Sequence, residues 1–193
     1  MTDLGPWGWA AAAAIVVFWM VGAYNRLVAL RGVVAQAWAQ VDDQLRRRAE
    51  ATVPLLAACR QGPAALQAAA ATLDAAERQL QAAVEALRPR PLKLPAAASL
   101  VTAEGVWQDA WTRLQAALAE AIADDLERYG SSGLDAAAEL HGVSQQQQAL
   151  RFARQAFDAA VLAYNAALRQ FPTRLLGPLF GFRTGAVLTP PPR

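Results

Sequence analysis

Histidine and cysteine are almost missing from this chain: His141 and Cys59 are the only ones in 193 residues. A lone cysteine excludes an intramolecular disulfide and a thiolate zinc cluster, and it leaves the redox compartment open. A lone histidine excludes the paired Glu-x-x-His di-metal sites of helical bundles and leaves little from which to build a triad. Glycine is sparse and β-branched residues cluster only around residues 15–18, so there is little material for sheets. Without a strand there is also no strand-to-helix Gly-rich phosphate loop. Net charge is low as well: +2, with acids and bases interspersed, which argues against a nucleic-acid surface. Of the remaining chemical groups, Asp42-Asp43 and Asp124-Asp125 are neighbours that a helix points about 100° apart, and they read as solvated faces. His141 reads as a loop or surface residue and Cys59 as a small packing residue, with no histidine near it. These residues predict no enzyme, no metal, no cofactor and no small-molecule substrate.

What the chain does have is alanine and one long apolar run. No charged side chain occurs from Leu4 to Asn25, and WGWAAAAAIVVFWMVGAY (residues 7–24) is long enough to cross about 30 Å of hydrocarbon as a helix. Trp7 and Trp9 at one end, with Trp19 and Tyr24 toward the other, match interfacial aromatic belts. Residues 1–25 therefore read as a transmembrane anchor. Two other readings stand beside it. One is a buried core helix; the other is a cleaved signal peptide with Val21-Gly22-Ala23 as its cleavage site, although the preceding MTDLGP carries Asp3 and no basic residue. Arg26 and Arg31 follow the run, with only Asp3 before it, so the positive-inside rule places the N-terminus outside and the rest in the cytoplasm.

Beyond the run, four stretches carry helical periodicity. Leu27, Leu30, Val34, Trp38, Val41 and Leu45 mark the first, continuous with the anchor. The second spans residues 63–87, opened by Pro63 and striped by Leu66, Leu73, Leu80, Val84 and Leu87. RPRPLKLP (residues 88–95) then reads as a linker, because prolines at that density stop a helix. A third helix is expected from Thr102, whose hydroxyl suits an N-cap, through Trp107, Trp111, Leu114, Leu118, Ile122 and Leu126 to YGSSG at residues 129–133. Residues 132–148 read as a short helix followed by a polar approach. The fourth long helix carries Leu150, Ala153, Phe157, Val161, Tyr164, Leu168 and Phe171 at near-heptad spacing, and Pro172 stops it. The predicted fold is all-α: an N-terminal transmembrane helix continuing into an antiparallel up-and-down four-helix bundle with long helices over residues 26–172, and an apolar, Pro-rich tail over 173–193.

YNRLVALRGVVAQAWAQVDDQLRRR (residues 24–48) and AYNAALRQFPTRLLGPLFGFR (residues 163–183) resemble the opening and closing signatures of the LemA family, in the right order and separation. The middle of the chain matches only as alanine-rich helix. There are departures: Gln147 stands where the family has an acid, Phe157 and Asp158 stand where it has tyrosine and asparagine, and Pro54 is displaced by a residue. The resemblance implies a divergent member, a membrane-bound helical bundle at the inner cell membrane, and no particular activity.

Two segments are candidates for contact. Arg46, Arg47 and Arg48 fan over about 200° of helix, so at least one approaches the bundle flank. They serve either as salt-bridge partners of Asp42, Asp43 and Glu50 or as a docking site for an acidic partner. In the tail, Leu179, Phe180, Phe182 and Arg183 have the composition of a segment resting on the bilayer surface, since an antiparallel bundle returns its last helix to the anchor. Leu175 and Leu176 read instead as a cap on the bundle core. The expected role is a membrane-tethered scaffold or adaptor that contacts the bilayer and an unidentified protein. The alternative is an exported envelope protein with its first helix retained or cleaved.

Overall fold

The computed structural model describes residues 6–128, 134–171, 173–174 and 180–189, with the side chains of residues 6, 124–128 and 134–138 outside that description. Four helices occupy it: α1 Pro6–Cys59, α2 Ala64–Leu87, α3 Leu94–Arg128 and α4 Leu134–Arg169. There is no strand among the described residues.

Helix α1 holds 54 residues, about 80 Å at 1.5 Å per residue. Its two halves differ sharply. Trp7 is 87% and Phe18 79% exposed, whereas Leu27, Val34, Val41 and Leu55 are buried. Only the end of this apolar part, from Trp19 to Tyr24, touches the rest of the chain, at Phe171, Phe180 and Phe182, and the large side chains from Trp7 to Phe18 stay exposed, so the buried-core reading of residues 7–24 is wrong. One helix here is long and apolar enough to cross a membrane. Pro54 lies inside α1 and exposed; it removes one ladder hydrogen bond near the helix end, where few turns depend on it. The chain then reverses within a tight turn in which Gly62 sits against Leu66, a place where a Cβ would lie 2.8 Å from Leu66 Cδ2.

Helix α2 buries Leu66, Leu73, Leu80, Val84 and Leu87 on one face, as its periodicity predicts. Helix α3 begins at Leu94, eight residues before the expected Thr102 cap. Pro95 falls in the first turn, where a missing N–H costs nothing, and the alanines after it are strong helix formers. Thr102 is thus inside the helix, with its hydroxyl donating to the Ala98 carbonyl at 3.1 Å. The linker shrinks accordingly to residues 88–93. Residues 134–148 form one unbroken helix with the rest of α4 rather than a short helix and a polar approach; alanine and glutamine favour helix, and a single Gly142 is tolerated. The expected stop at YGSSG and the one at Pro172 lie outside the described residues. The end of α4 is closed by the Thr173 hydroxyl, which contacts the carbonyls of Ala167 and Gln170.

Named contacts establish an antiparallel up-and-down bundle. Trp38 of α1 meets Phe157 of α4 with ring centroids 5.9 Å apart, and Trp19 meets Phe171 at 5.0 Å, so α4 runs back along α1. Arg88 at the end of α2 reaches Asp42 at 2.9 Å, which returns α2 only about a third of the way down α1. The closest backbone packing joins α1 to α4 and α2 to α3. The core is one apolar cluster running from Leu27 to Leu188.

Candidate functional site

Midway along the bundle, charged residues occupy stripe positions that periodicity assigns to the core. Arg48 lies three residues after Leu45, Glu77 four after Leu73, Glu104 four after Leu100, and Arg154 four after Leu150. All four helices contribute to this one layer. Arg48 is fully buried and grips Glu104 with both terminal nitrogens, at 2.7 and 3.1 Å. Arg154 approaches the same carboxylate at 2.9 Å, and Gln108 donates to it at 3.2 Å. The Arg48 guanidinium lies 3.7 Å over the Trp107 ring, whose indole N–H donates to Glu77 at 2.6 Å.

These contacts set the protonation states. Burial alone would raise the Glu104 carboxyl, but the hydrogen bonds and charge of Arg48, with Arg154 and Gln108, hold it down to about 2. The Glu77 carboxyl is pushed up by burial, only partly offset by Arg48 and the Trp107 N–H, and pushed further by neighbouring Glu104. Two buried carboxyls at one level are therefore separated in acidity by their partners.

Glu77 also faces a half-open cleft of about 580 Å³ between α1 and α2. Asp42, Arg46, Glu50, Arg78 and Arg88 surround it. The rim is of mixed sign, with a carboxyl on its wall that holds its proton more tightly than usual. Such a cleft can recognise polar groups of either charge. Among the described residues no three His, Cys, Asp or Glu side chains are grouped to hold a metal ion.

The tail forms the other distinctive feature. The backbone N–H groups of Leu188 and Thr189 donate to Asp158 at 2.6 and 3.0 Å. Gly185 exchanges two hydrogen bonds with the Asn165 amide, at 2.8 and 2.9 Å. A Cβ on Gly185 would lie 2.3 Å from Leu92 Cδ2 and 3.3 Å from Val161 Cγ1, so only glycine passes there without displacing its neighbours. Leu188 is buried beside Leu100, Val101 and Gly105 of α3 and Arg154 of α4. The tail thus lies in the groove between α3 and α4.

The model of the LemA family matches residues 37–190. The chain belongs to the LemA family. That span takes in all four LemA helices, apart from the N-terminal part of α1, and runs through the tail to residue 190. The tail residues held by Asp158 and Asn165 are therefore part of the LemA domain. Neither the curated proteins nor the solved structures show a match. LemA membership thus establishes a helical protein without assigning it a chemistry.

The sequence-predicted residues separate in the structure. Arg46 pairs with Asp42 at 2.7 Å and Arg47 with Asp43 at 2.9 Å, the two arginines exposed and the second pair wholly on the surface. Arg48 turns inward to Glu104 and offers nothing to a partner. Asp42 is buried between Arg46 and Arg88, not solvated as its sequence neighbourhood suggests; Asp43 is exposed. The side chains of Asp124 and Asp125 lie outside the described residues, as do Leu175, Leu176 and Leu179. Phe180 and Phe182 both pack on Tyr24, at 5.2 and 5.8 Å between ring centroids, on either side of Gly181, whose φ of +70° only glycine adopts freely. Arg183 is exposed. His141 is exposed on α4, and its ring meets Gln145 at 3.0 Å. Cys59 is buried, and burial pushes its thiol up. Glu77, Glu104, Arg154 and Asn165 were not singled out by sequence, and Asp158 only as a family departure. The signal for the first three was a charge in stripe register. For Asn165 and Asp158 there was none, because their partner is backbone 20 to 31 residues away.

Proposed function

We propose that this LemA-family chain is a membrane-anchored scaffold or adaptor that acts through protein contacts along a cytoplasmic bundle, without catalysing a reaction. The observation that carries the reading is the division of α1: one continuous helix whose first part exposes Trp9, Ile15 and Phe18 to the surroundings and whose second part is sealed into a bundle. Apolar surface of that extent is unfavourable in water and favourable in lipid. Partner docking is assigned to the α1–α2 cleft, where Arg46 stands with Arg78 and Arg88 above acids of the same wall, and Arg47 lies on the adjoining surface.

Topology is tested with cysteine labelling. Cys59 is buried, so it gives little background. A cysteine replacing exposed Pro89 should resist a membrane-impermeant thiol reagent in intact cells and react after lysis. Labelling of intact cells would instead support the exported alternative. The purified protein should need detergent and keep its N-terminus; a mature chain starting at Tyr24 would identify residues 1–23 as a cleaved signal. Photocrosslinkers at Arg47 and Gln81 should both capture the same protein in cells, and capture by neither would sink the docking assignment.

A further inference from the structure

A second cavity of about 580 Å³ lies nearer residue 24 along α1, and its charge is of one sign. Arg31 of α1, Arg90 and Lys93 of the α2–α3 linker and Arg183 of the tail all line it, and no acidic side chain does. Tyr164 of α4 and Phe182 complete the part of the wall that matters here. Segments far apart in the chain thus converge four cations on one space. No salt bridge among the described residues involves any of the four. The contrast with Arg88 is instructive: one or two positions before the cavity, that arginine is neutralised by Asp42 and Glu85. Like charges left uncompensated around a cavity repel one another, and a bound anion removes that repulsion.

The cavity is also built. The linker carrying Arg90 and Lys93 is closed by backbone hydrogen bonds from Arg90 N–H to Leu87 and from Lys93 N–H to Arg90, both 3.0 Å. Pro89 and Pro91 restrict it further. The tail is positioned by Gly181 in the left-handed region and by the Asn165 clamp on Gly185. Arginine forks and a lysine point charge, arranged on supports of this kind, match the oxygens of a phosphate group better than a single carboxylate.

We propose that this cavity binds a phosphate group. Its place suggests the source. Arg31 follows Tyr24 by seven residues, about 10 Å along the helix, and Phe182 of the cavity wall packs on Tyr24 itself. A headgroup layer is roughly 5–7 Å deep beyond the hydrocarbon, so the cavity opens where lipid phosphates end. The phosphate site itself is independent of the membrane reading; its filling by a lipid headgroup rests on it.

The test uses the full chain reconstituted in phosphatidylcholine vesicles and titrated calorimetrically with inorganic pyrophosphate. The wild-type chain should bind, and the variant carrying Arg31→Gln, Arg90→Gln, Lys93→Gln and Arg183→Gln should bind at least tenfold more weakly. A control carrying Arg60→Gln, Arg113→Gln and Arg151→Gln, which loses exposed arginines elsewhere, should bind as wild type does. Should the fourfold variant lose helicity by circular dichroism, the milder Lys93→Gln, Arg183→Gln pair replaces it, with at least a threefold loss expected. Vesicles containing one-fifth phosphatidylglycerol separate the sources: suppression of pyrophosphate binding in the wild type points to lipid, and undiminished binding to a soluble phosphate compound. Absence of pyrophosphate binding in phosphatidylcholine, with no more phosphatidylglycerol co-purified by the wild type than by the variant, would overturn the proposal. So would an equal loss in the control, because binding would then follow overall charge.

Discussion

The bundle is held in two different ways at its two levels. At the Arg48–Glu104 layer, four helices meet around buried ions, and each helix supplies at least one charged group. Nearer residue 24, α1 and α4 are joined by Trp38 on Phe157, by Arg26 on Gln170 at 3.1 Å, and by a tail whose Phe180 and Phe182 pack on Tyr24 of α1 and whose backbone is clamped to Asn165 and Asp158 of α4. In the first region specificity comes from charges that tolerate only each other. In the second it comes from side chains that grip a backbone with no helix of its own. The first is sensitive to loss of a partner, the second to loss of a strap.

The contrast should break most visibly at Glu104. Glu104→Ala leaves fully buried Arg48, and partly buried Arg154, without their carboxylate, a change that typically costs about 3–5 kcal/mol. Denaturant unfolding of the detergent-solubilised chain should show that loss. Replacing Arg48 and Glu104 together by Met and Leu should recover most of it, since the fully buried cation goes with its carboxylate and the remaining Arg154 is in part open to water. If the single and double variants were equally unstable, packing and not charge would be what the layer supplies.

Acid should act on the same layer. The Glu104 carboxyl titrates near 2 in the folded chain against an ordinary 4.5, so its contribution is complete above about pH 4.5 and is lost as pH falls toward 2. The difference corresponds to about 3 kcal/mol. Glu77, whose value is raised, has the opposite sign: its share is full below 4.5 and declines as pH rises through its folded value. The unfolding midpoint should therefore hold or rise slightly between pH 7 and 4.5 and drop below it. Glu104→Gln should flatten the acid limb.

In the second region, Asp158→Ala removes the acceptor of two backbone N–H groups, an effect of about 2 kcal/mol. Trypsin should then cut after Arg183 faster while helicity by circular dichroism stays unchanged; coupled loss of both would mean the tail and the helices form one cooperative unit. The smallest effect is expected at Arg47, whose pair with Asp43 is exposed on both sides. Arg47→Ala should change stability by no more than about 0.5 kcal/mol.

Much of this architecture was legible in advance, because alanine-rich stretches with apolar residues every three or four positions admit few other folds. The stripe of α2 and that of α4 from Leu150 to Leu168 fell where expected, but Phe171 lies past the end of α4 and is 70% exposed, off the helical register that would have carried it into the core. Helix starts were harder: Thr102 has the chemistry of a cap, yet Pro95 and the alanines behind it begin the helix earlier. The polar layer was readable in principle, since Arg48, Glu77, Glu104 and Arg154 interrupt apolar stripes at matching levels. What one helix's pattern cannot show is which charge meets which: the fan of the basic triplet required one arginine to approach the bundle flank, but not that it would be Arg48 or that its partner would be Glu104 of α3. The tail was the least legible part. Its hold on Asp158 and Asn165 runs through backbone groups, which carry no sequence signature.

Because α1 passes from its exposed apolar part into the core without a break, the bundle has no swivel beneath it. Turning either part turns the other, as with the two ends of a key. One residue inserted near Asn25 would rotate the bundle by about 100° and lift it by about 1.5 Å, presenting a different side to anything fixed relative to the exposed apolar part. In such a molecule the phase of the helix is itself an address: it decides the compass bearing in which the α1–α2 cleft faces its surroundings.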